Sequence, residues 1–216
     1  MNKLSVAIII STGGSVLNRL CSFDYFKERV SCVVSDRECP AIVKSQNHGV
    51  NTCILKAQTG LEFCDHMYDF FADKHVDLFV SFYTKLIKGK FLDKYNGRII
   101  NLHPSILPAC PGMHGFEDTI HSGSKFVGST IHFIDANIDT GKPIIQAAYP
   151  YNSLCSKETL RHKVFLQQCK SLLQVIRWFE EGRITKATES VVVLGAEYEV
   201  GEYSPNLDFD LALGLK

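Results

Sequence analysis

The sequence predicts an α/β fold with a doubly wound, mostly parallel sheet, and two patterns carry that prediction. Residues 4–10 form an almost unbroken aliphatic run, which is typical of a central parallel strand buried on both faces. Apolar runs of this kind then alternate with helical patterns, as in folds where helices cover both faces of a parallel sheet. Ligands of such sheets bind at the carboxyl ends of the strands, so we expect the site in the loops that follow them.

The first strand leads into Gly13-Gly14 and then into a helical pattern at 16–20. A strand, a glycine turn and a helix can direct backbone N–H groups at an anion, although many such turns bind nothing. Further strands are predicted at 29–34, 52–55 and 76–82, and further helices at 39–48, 61–74 and 90–95. We expect the aromatic face of the helix at 61–74 to be part of the core.

The second half of the chain continues the pattern. Strands are predicted at 99–103, at 128–134 and in a segment ending at 147–150, followed by a long helix that Ser156 caps and that ends near residue 181. Two β-rich runs, 189–194 and 198–203, are expected to add a strand pair to the sheet edge. We therefore expect one catalytic domain at 1–185 with a C-terminal extension at 186–216 packed on it.

Candidate catalytic residues lie between 97 and 146. Asn101 and His103 are two positions apart, so on a strand they share one face. The loop at 104–112 that follows contains three prolines and a glycine, which restrict its backbone. An amide and an imidazole can stabilise an oxyanion or move a proton, and Asp139 could orient the imidazole. The structural alternative is that His103 ends a strand and Asp139 opens a turn.

The order of motifs in this stretch resembles one family. The motifs are Asn101-x-His103-Pro104-Ser105-x-Leu107-Pro108, Pro111-Gly112, Gly128-x-Thr130-x-His132-Phe133 and Asp139-x-Gly141, with Gln146 following. They resemble the 10-formyltetrahydrofolate-dependent formyltransferases, and a weaker resemblance extends from about residue 4 to 185. It implies a Rossmann-like formyltransferase fold and a catalytic trio of Asn101, His103 and Asp139.

The resemblance also implies the substrates. The co-substrate would be 10-formyltetrahydrofolate, with no metal, and its pocket would include Lys85, Leu86, Ile87, Asp135, Ile138 and Thr140. The acceptor would be a phosphate-bearing small-molecule amine held by Thr12, Gly13, Gly14, Ser15 and Gln168. The family's loop usually has glycine at position 12 and asparagine at 16, and its helix has glutamate at 168. This chain has Thr12, Val16 and Gln168 instead.

These departures leave the acceptor open. Glycinamide ribonucleotide, in purine biosynthesis, is the first expectation, because length and loop pattern fit it. A nucleotide-linked amino sugar is the alternative, since sugar N-formyltransferases share the trio. A non-catalytic folate-binding protein is less favoured because the trio is intact. Hydrolysis of formyltetrahydrofolate is less favoured because the resemblance implies an extra N-terminal regulatory domain in such hydrolases, and none is expected here.

Composition limits the partners. Lys plus Arg and Asp plus Glu both number 23, so neither a nucleic-acid nor a membrane surface is expected. The eight cysteines contain no C-x-x-C pair, which disfavours zinc and redox motifs and fits reduced thiols in a cytoplasmic protein. Cys110 lies in the candidate site loop and is expected to be a passive small residue. A homodimer is left open.

Overall fold

The computed structural model describes residues 3–188 and 190–216. Its contacts divide the chain into two compact units. The first contains the described residues up to Asn101 together with Ile134–Ile138, and the second contains Leu102–Phe133 and Asp139–Lys216. The division at 185 stays a prediction; residues 190–216 belong to the second unit.

The first unit alternates strands and helices. Its elements are β1 (Val6–Ile10), α1 (Ser15–Leu20), α2 (Asp24–Lys27), β2 (Val30–Ser35), α3 (Pro40–Asn47), β3 (Thr52–Ile54), α4 (Gly60–Phe70), β4 (Leu78–Phe82), α5 (Gly89–Lys94) and the start of β5 (Ile99–His103). The strands are parallel and lie in the order β3-β2-β1-β4-β5. From β1 the chain adds β2 and β3 on one side of that strand, and then adds β4 and β5 on its other side. This order confirms the doubly wound, mostly parallel α/β sheet.

Burial explains these elements. Every residue of β1 is fully buried, as its aliphatic run predicts. Phe63, Met67 and Phe71 are also fully buried in a cluster with β4 and α5, which confirms that the aromatic face of α4 is core. The prediction of helix to residue 74 is wrong, because α4 ends at Phe70. After it the chain tightens into turns, with the Ala72 N–H donating to the Asp69 carbonyl at 3.2 Å.

The second unit begins with the end of β5. It contains α6 (Gly115–His121), β6 (Phe126–Phe133), β7 (Pro143–Pro150), α7 (Lys157–Glu180), β8 (Ile184–Lys186), β9 (Val191–Val193), β10 (Tyr203–Ser204) and α8 (Asp210–Gly214). Strand β7 pairs antiparallel with both β6 and β10. The predicted cap is present, because Ser156 Oγ accepts the Thr159 N–H at 3.2 Å.

The C-terminal segment differs from its prediction. Of the strands described after α7, β10 alone joins the main sheet, where Tyr203 lies opposite Ala147 of β7, whereas β8 and β9 form a separate antiparallel pair. Glu189, at the start of one predicted run, lies outside the described residues. Helices α2, α6 and α8 were not predicted; α2 and α8, of four and five residues, are too short for a clear helical period. Among the described residues, no helix is both long and apolar enough to cross a bilayer.

Candidate active site

His103 ends β5, and its ring is almost completely buried. Its Nε2 donates to the Cys110 carbonyl at 2.8 Å, and its Nδ1 lies 3.3 Å from Asp139 Oδ2. The predicted pairing of His103 and Asp139 is therefore present. Both ring nitrogens face oxygen acceptors, so the imidazole is held in one orientation.

Asp139 occupies the turn between β6 and β7. Its φ of +50° is left-handed, a conformation that a residue other than glycine adopts at some cost. The carboxylate is held there from two sides, since Oδ2 also accepts the Gly112 N–H at 2.7 Å and Oδ1 lies 3.5 Å from His132 Nε2. The strained turn thus directs Asp139 into a cluster of donors.

The charge of Asp139 follows from its neighbours. Burial alone would raise its pKa. The hydrogen bond from His132, the Gly112 N–H and the nearby charges of His103 and His132 together lower the pKa below its ordinary value. Asp139 is therefore a stable carboxylate at neutral pH. Within the described residues, no three His, Cys, Asp or Glu side chains are arranged to hold a metal ion.

His132 was not among the residues predicted for the site. It lies in β6, is buried, and donates from Nδ1 to the Phe133 carbonyl at 2.9 Å. A lone histidine within a strand usually indicates core. The signal that could have identified it is the motif Gly128-x-Thr130-x-His132-Phe133, in which His132 stands two residues after Thr130 and seven before Asp139.

Two polar side chains from neighbouring strands hold the proline loop. Thr130 Oγ1 donates to the Ser105 carbonyl at 2.8 Å and accepts the Leu107 N–H at 3.0 Å. Gln146 Nε2 donates to the Leu107 carbonyl at 2.6 Å and to Thr130 Oγ1 at 3.0 Å. Because these groups are buried or partly buried and mutually satisfied, the loop is ordered before any ligand binds.

Gly115 opens α6 directly beside the His103 ring. A Cβ at this position would lie 2.5 Å from His103 Nε2, 2.9 Å from His103 Cε1 and 3.1 Å from the Cys110 carbonyl oxygen. The absence of a side chain at 115 therefore makes room for the imidazole.

The predicted phosphate loop lies in the first unit, after β1. Gly14 has a left-handed φ of +61°, and a Cβ on it would lie 2.7 Å from Ala41 Cβ, so α3 packs closely against the loop. Lys44 of α3 donates to the Gly13 carbonyl at 2.9 Å. Val16 is buried within α1 and presents no polar group to this loop.

The remaining predicted binding residues differ in how far they are exposed. Ile87 is buried and Asp135 is half-buried, whereas Leu86, Ile138 and Thr140 are exposed and Gln168 is half-buried on α7. Asn101 is half-buried in β5, opposite Ser81 of β4.

Lys85 binds an acidic group of the protein itself. Its Nζ lies 3.1 Å from Oδ2 of Asp36, a buried carboxylate that also accepts from Tyr83 Oη at 3.1 Å and from Arg37 Nε at 2.7 Å. Burial alone would raise the pKa of Asp36, but the hydrogen bonds from Arg37, Lys85 and Tyr83 and the charge of Arg37 hold it below its ordinary 3.8. The lysine is thus positioned by the sheet rather than free in solvent.

Replacing Asp36 with alanine is expected to lower the free energy of unfolding at pH 7 by about 2 kcal/mol, less than for a fully buried pair because Arg37 and Lys85 are partly exposed. A lowered pKa means that the ionised carboxylate stabilises the folded state above about pH 4, and that this contribution is lost as the pH falls through the lowered pKa. Urea unfolding of both proteins should therefore show a difference that shrinks on acidification.

Asp24→Ala is the control for that comparison, because Asp24 is exposed and its ion pair with Lys27 spans one helical turn at the surface. It should change stability by less than about 0.5 kcal/mol. A variant of Asp36 that matched this control would show that the buried carboxylate contributes little.

The chain matches the family model described as "Formyl transferase" over residues 4–176. It is 30% identical over 202 residues to phosphoribosylglycinamide formyltransferase of Mycobacterium tuberculosis, covering 91% of each chain. It is 28% identical to the Haemophilus influenzae protein of the same name, covering 83% of this chain and 88% of that one. The structure of glycinamide ribonucleotide transformylase 1 from Symbiobacterium toebii is 28% identical and superposes with a TM-score of 0.82, covering 89% of this chain and 94% of that one.

Proposed function

The chain belongs to the formyl transferase family, and we propose that it transfers the formyl group of 10-formyltetrahydrofolate to the amine of glycinamide ribonucleotide. The observation that carries this proposal is the contact between the buried His103 and the partly buried Asp139 inside the segment that matches the family model. The acceptor comes from the names of relatives that match most of the chain. We place the reaction in the cytoplasm, as the cysteine pattern of the sequence predicts.

The proposed chemistry is attack of the acceptor amine on the formyl carbon. The carbonyl oxygen of the formyl group becomes an oxyanion, and His103 would donate a hydrogen bond to it from Nε2. In the structure, the same nitrogen donates to the Cys110 carbonyl. A charged oxygen is a stronger acceptor than a neutral carbonyl, so the oxyanion would take over this hydrogen bond. Asn101 would be the second donor.

Asp139 has two tasks in this mechanism. Its contact with Nδ1 keeps the His103 ring oriented, and its lowered pKa keeps it available to hold a water that relays the proton released by the amine. Collapse of the tetrahedral intermediate then breaks the bond to the folate nitrogen, which takes up a proton.

We assign the acceptor phosphate to residues 12–15 and the folate to the segments at 85–87 and 135–140. Lys44 already binds one carbonyl of the first loop, and Asp36 already holds Lys85. Both positively charged side chains are thus pre-positioned, which lowers the entropy cost of binding anionic groups.

A formyl-transfer assay with 10-formyltetrahydrofolate tests the proposal. Glycinamide ribonucleotide, a panel of nucleotide-linked amino sugars and a sample without acceptor should be compared side by side. We expect turnover of the ribonucleotide. Turnover of a sugar alone would mean that Val16 and Gln168 belong to a different acceptor site, and formate release without acceptor would indicate hydrolysis.

A further inference from the structure

A second buried histidine contacts the carboxylate of the candidate site. His132 approaches Asp139 from β6, through Oδ1, whereas His103 approaches from β5, through Oδ2. Among the described residues, these two imidazoles are the titratable side chains that face Asp139, and the proline loop adds the Gly112 N–H. The carboxylate therefore lies between two rings, of which the proposed mechanism uses only one.

The hydrogen bonds of the two rings follow the same pattern. His103 donates from Nε2 to the Cys110 carbonyl, and His132 donates from Nδ1 to the Phe133 carbonyl. A carbonyl oxygen only accepts, so each of those nitrogens carries a proton. The opposite nitrogen of each ring faces a different carboxylate oxygen of Asp139, at 3.3 Å for His103 and 3.5 Å for His132.

The position of His132 also fits a role in holding Asp139 in place. Asp139 has a left-handed φ of +50°, a backbone conformation that costs energy and needs support from the surroundings. Contacts of the carboxylate supply that support and fix where it points. The separation of 3.5 Å between His132 Nε2 and Oδ1 is at the outer limit of a hydrogen bond, and such contacts often tighten when substrate binds. Strand β6, which pairs over most of its length with β7, provides a rigid support.

We propose that His132 is a positioning residue for formyl transfer, holding Asp139 through the oxygen that His103 does not use and so keeping the carboxylate aligned with His103. The inference rests on the proposed function. It adds a fourth side chain to the predicted trio, one that does not touch substrate but acts through Asp139.

Two amide substitutions separate this role from a purely structural one. In His132→Asn the amide reaches the place of Nδ1 and can keep the Phe133 contact, but it falls short of Asp139. In His132→Gln the amide reaches the place of Nε2 and can still donate to Asp139. If His132 positions Asp139, the glutamine variant should be the more active of the two. If His132 only supports the strand through the Phe133 carbonyl, the asparagine variant should be the more active.

We expect His132→Asn to lower kcat by roughly 10- to 100-fold, the effect of losing a hydrogen bond to a charged group. The KM values should stay within about threefold, since uniform binding is untouched. His132→Gln should keep kcat within about fivefold of wild type. The acid limb of the kcat profile should move to higher pH in His132→Asn, because the carboxylate loses a hydrogen bond and a charge that favour its ionised form.

A second measurement reads the same contact without turnover. In a ¹³C NMR titration of the Asp139 carboxyl, the midpoint should rise in His132→Asn relative to wild type. Wild-type kcat, an unmoved acid limb and an unmoved midpoint in His132→Asn would overturn the inference, as would a glutamine variant no better than the asparagine variant. Absence of wild-type formyl transfer would instead overturn the proposed function, and the titration would still show whether His132 controls Asp139.

Discussion

Replacing His103 with alanine is expected to lower kcat for formyl transfer about 10³-fold, within the range for removing a general acid or an oxyanion donor. The variant loses the Nε2–H that we assign to the oxyanion. Asp139 keeps its contacts with Gly112 and His132, so the carboxylate should stay in place. Because the proposed substrate contacts lie on other segments, binding of both substrates should change by less than about threefold. Single-turnover rates and calorimetric binding measure the two quantities separately.

His121→Ala is the matched control for that prediction. His121 is an exposed histidine at the end of α6, outside the proposed machinery, so its removal should leave kcat unchanged. Turnover by His103→Ala at the wild-type rate would remove His103 from the mechanism. Weak binding of both substrates together with normal single-turnover rates would instead give the ring a role in binding.

Sequence patterns predicted the sheet well because burial on both faces leaves few alternatives. The aliphatic run of β1 has no polar residue to direct outward, so it could only be a central strand. Element ends were less predictable. Phe71 is apolar and buried like the residues of α4 before it, so the pattern continued into the turn although the helix did not. Short strands such as β10 depend on a partner, here β7, that lies far away in sequence.

In the candidate site, too, the sequence pattern predicted residue types and their order but not their hydrogen-bond geometry. The order of Asn101, His103 and Asp139 along the chain identified a reaction type. No sequence pattern could show that the Cys110 carbonyl takes the Nε2 hydrogen bond, since that depends on a left-handed φ of +52° at Cys110. His132 was missed for a similar reason, because alternation in β6 predicts only which face its side chain occupies.

Gly115→Ala is expected to lower kcat about 100-fold, the scale of a misplacement near 1 Å in a catalytic group. The added Cβ would lie 2.5 Å from His103 Nε2, which is closer than carbon and nitrogen can approach. The ring cannot simply rotate away, since Asp139 and the Cys110 carbonyl hold its two nitrogens. The methyl group must therefore displace either the imidazole or the loop that binds it. Overpacking should also reduce stability by about 1–3 kcal/mol.

The control for this change is Gly214→Ala, at the end of α8, where a Cβ would meet no heavy atom within 4 Å. Steady-state kinetics and urea unfolding of both variants distinguish displacement of the ring from loss of fold. If Gly115→Ala kept the wild-type kcat, His103 would not need the orientation seen here, and the hydrogen bond to Cys110 would not limit catalysis. A lower kcat with a preserved KM would show that glycine at 115 is required by the position of the imidazole rather than by the flexibility of the loop.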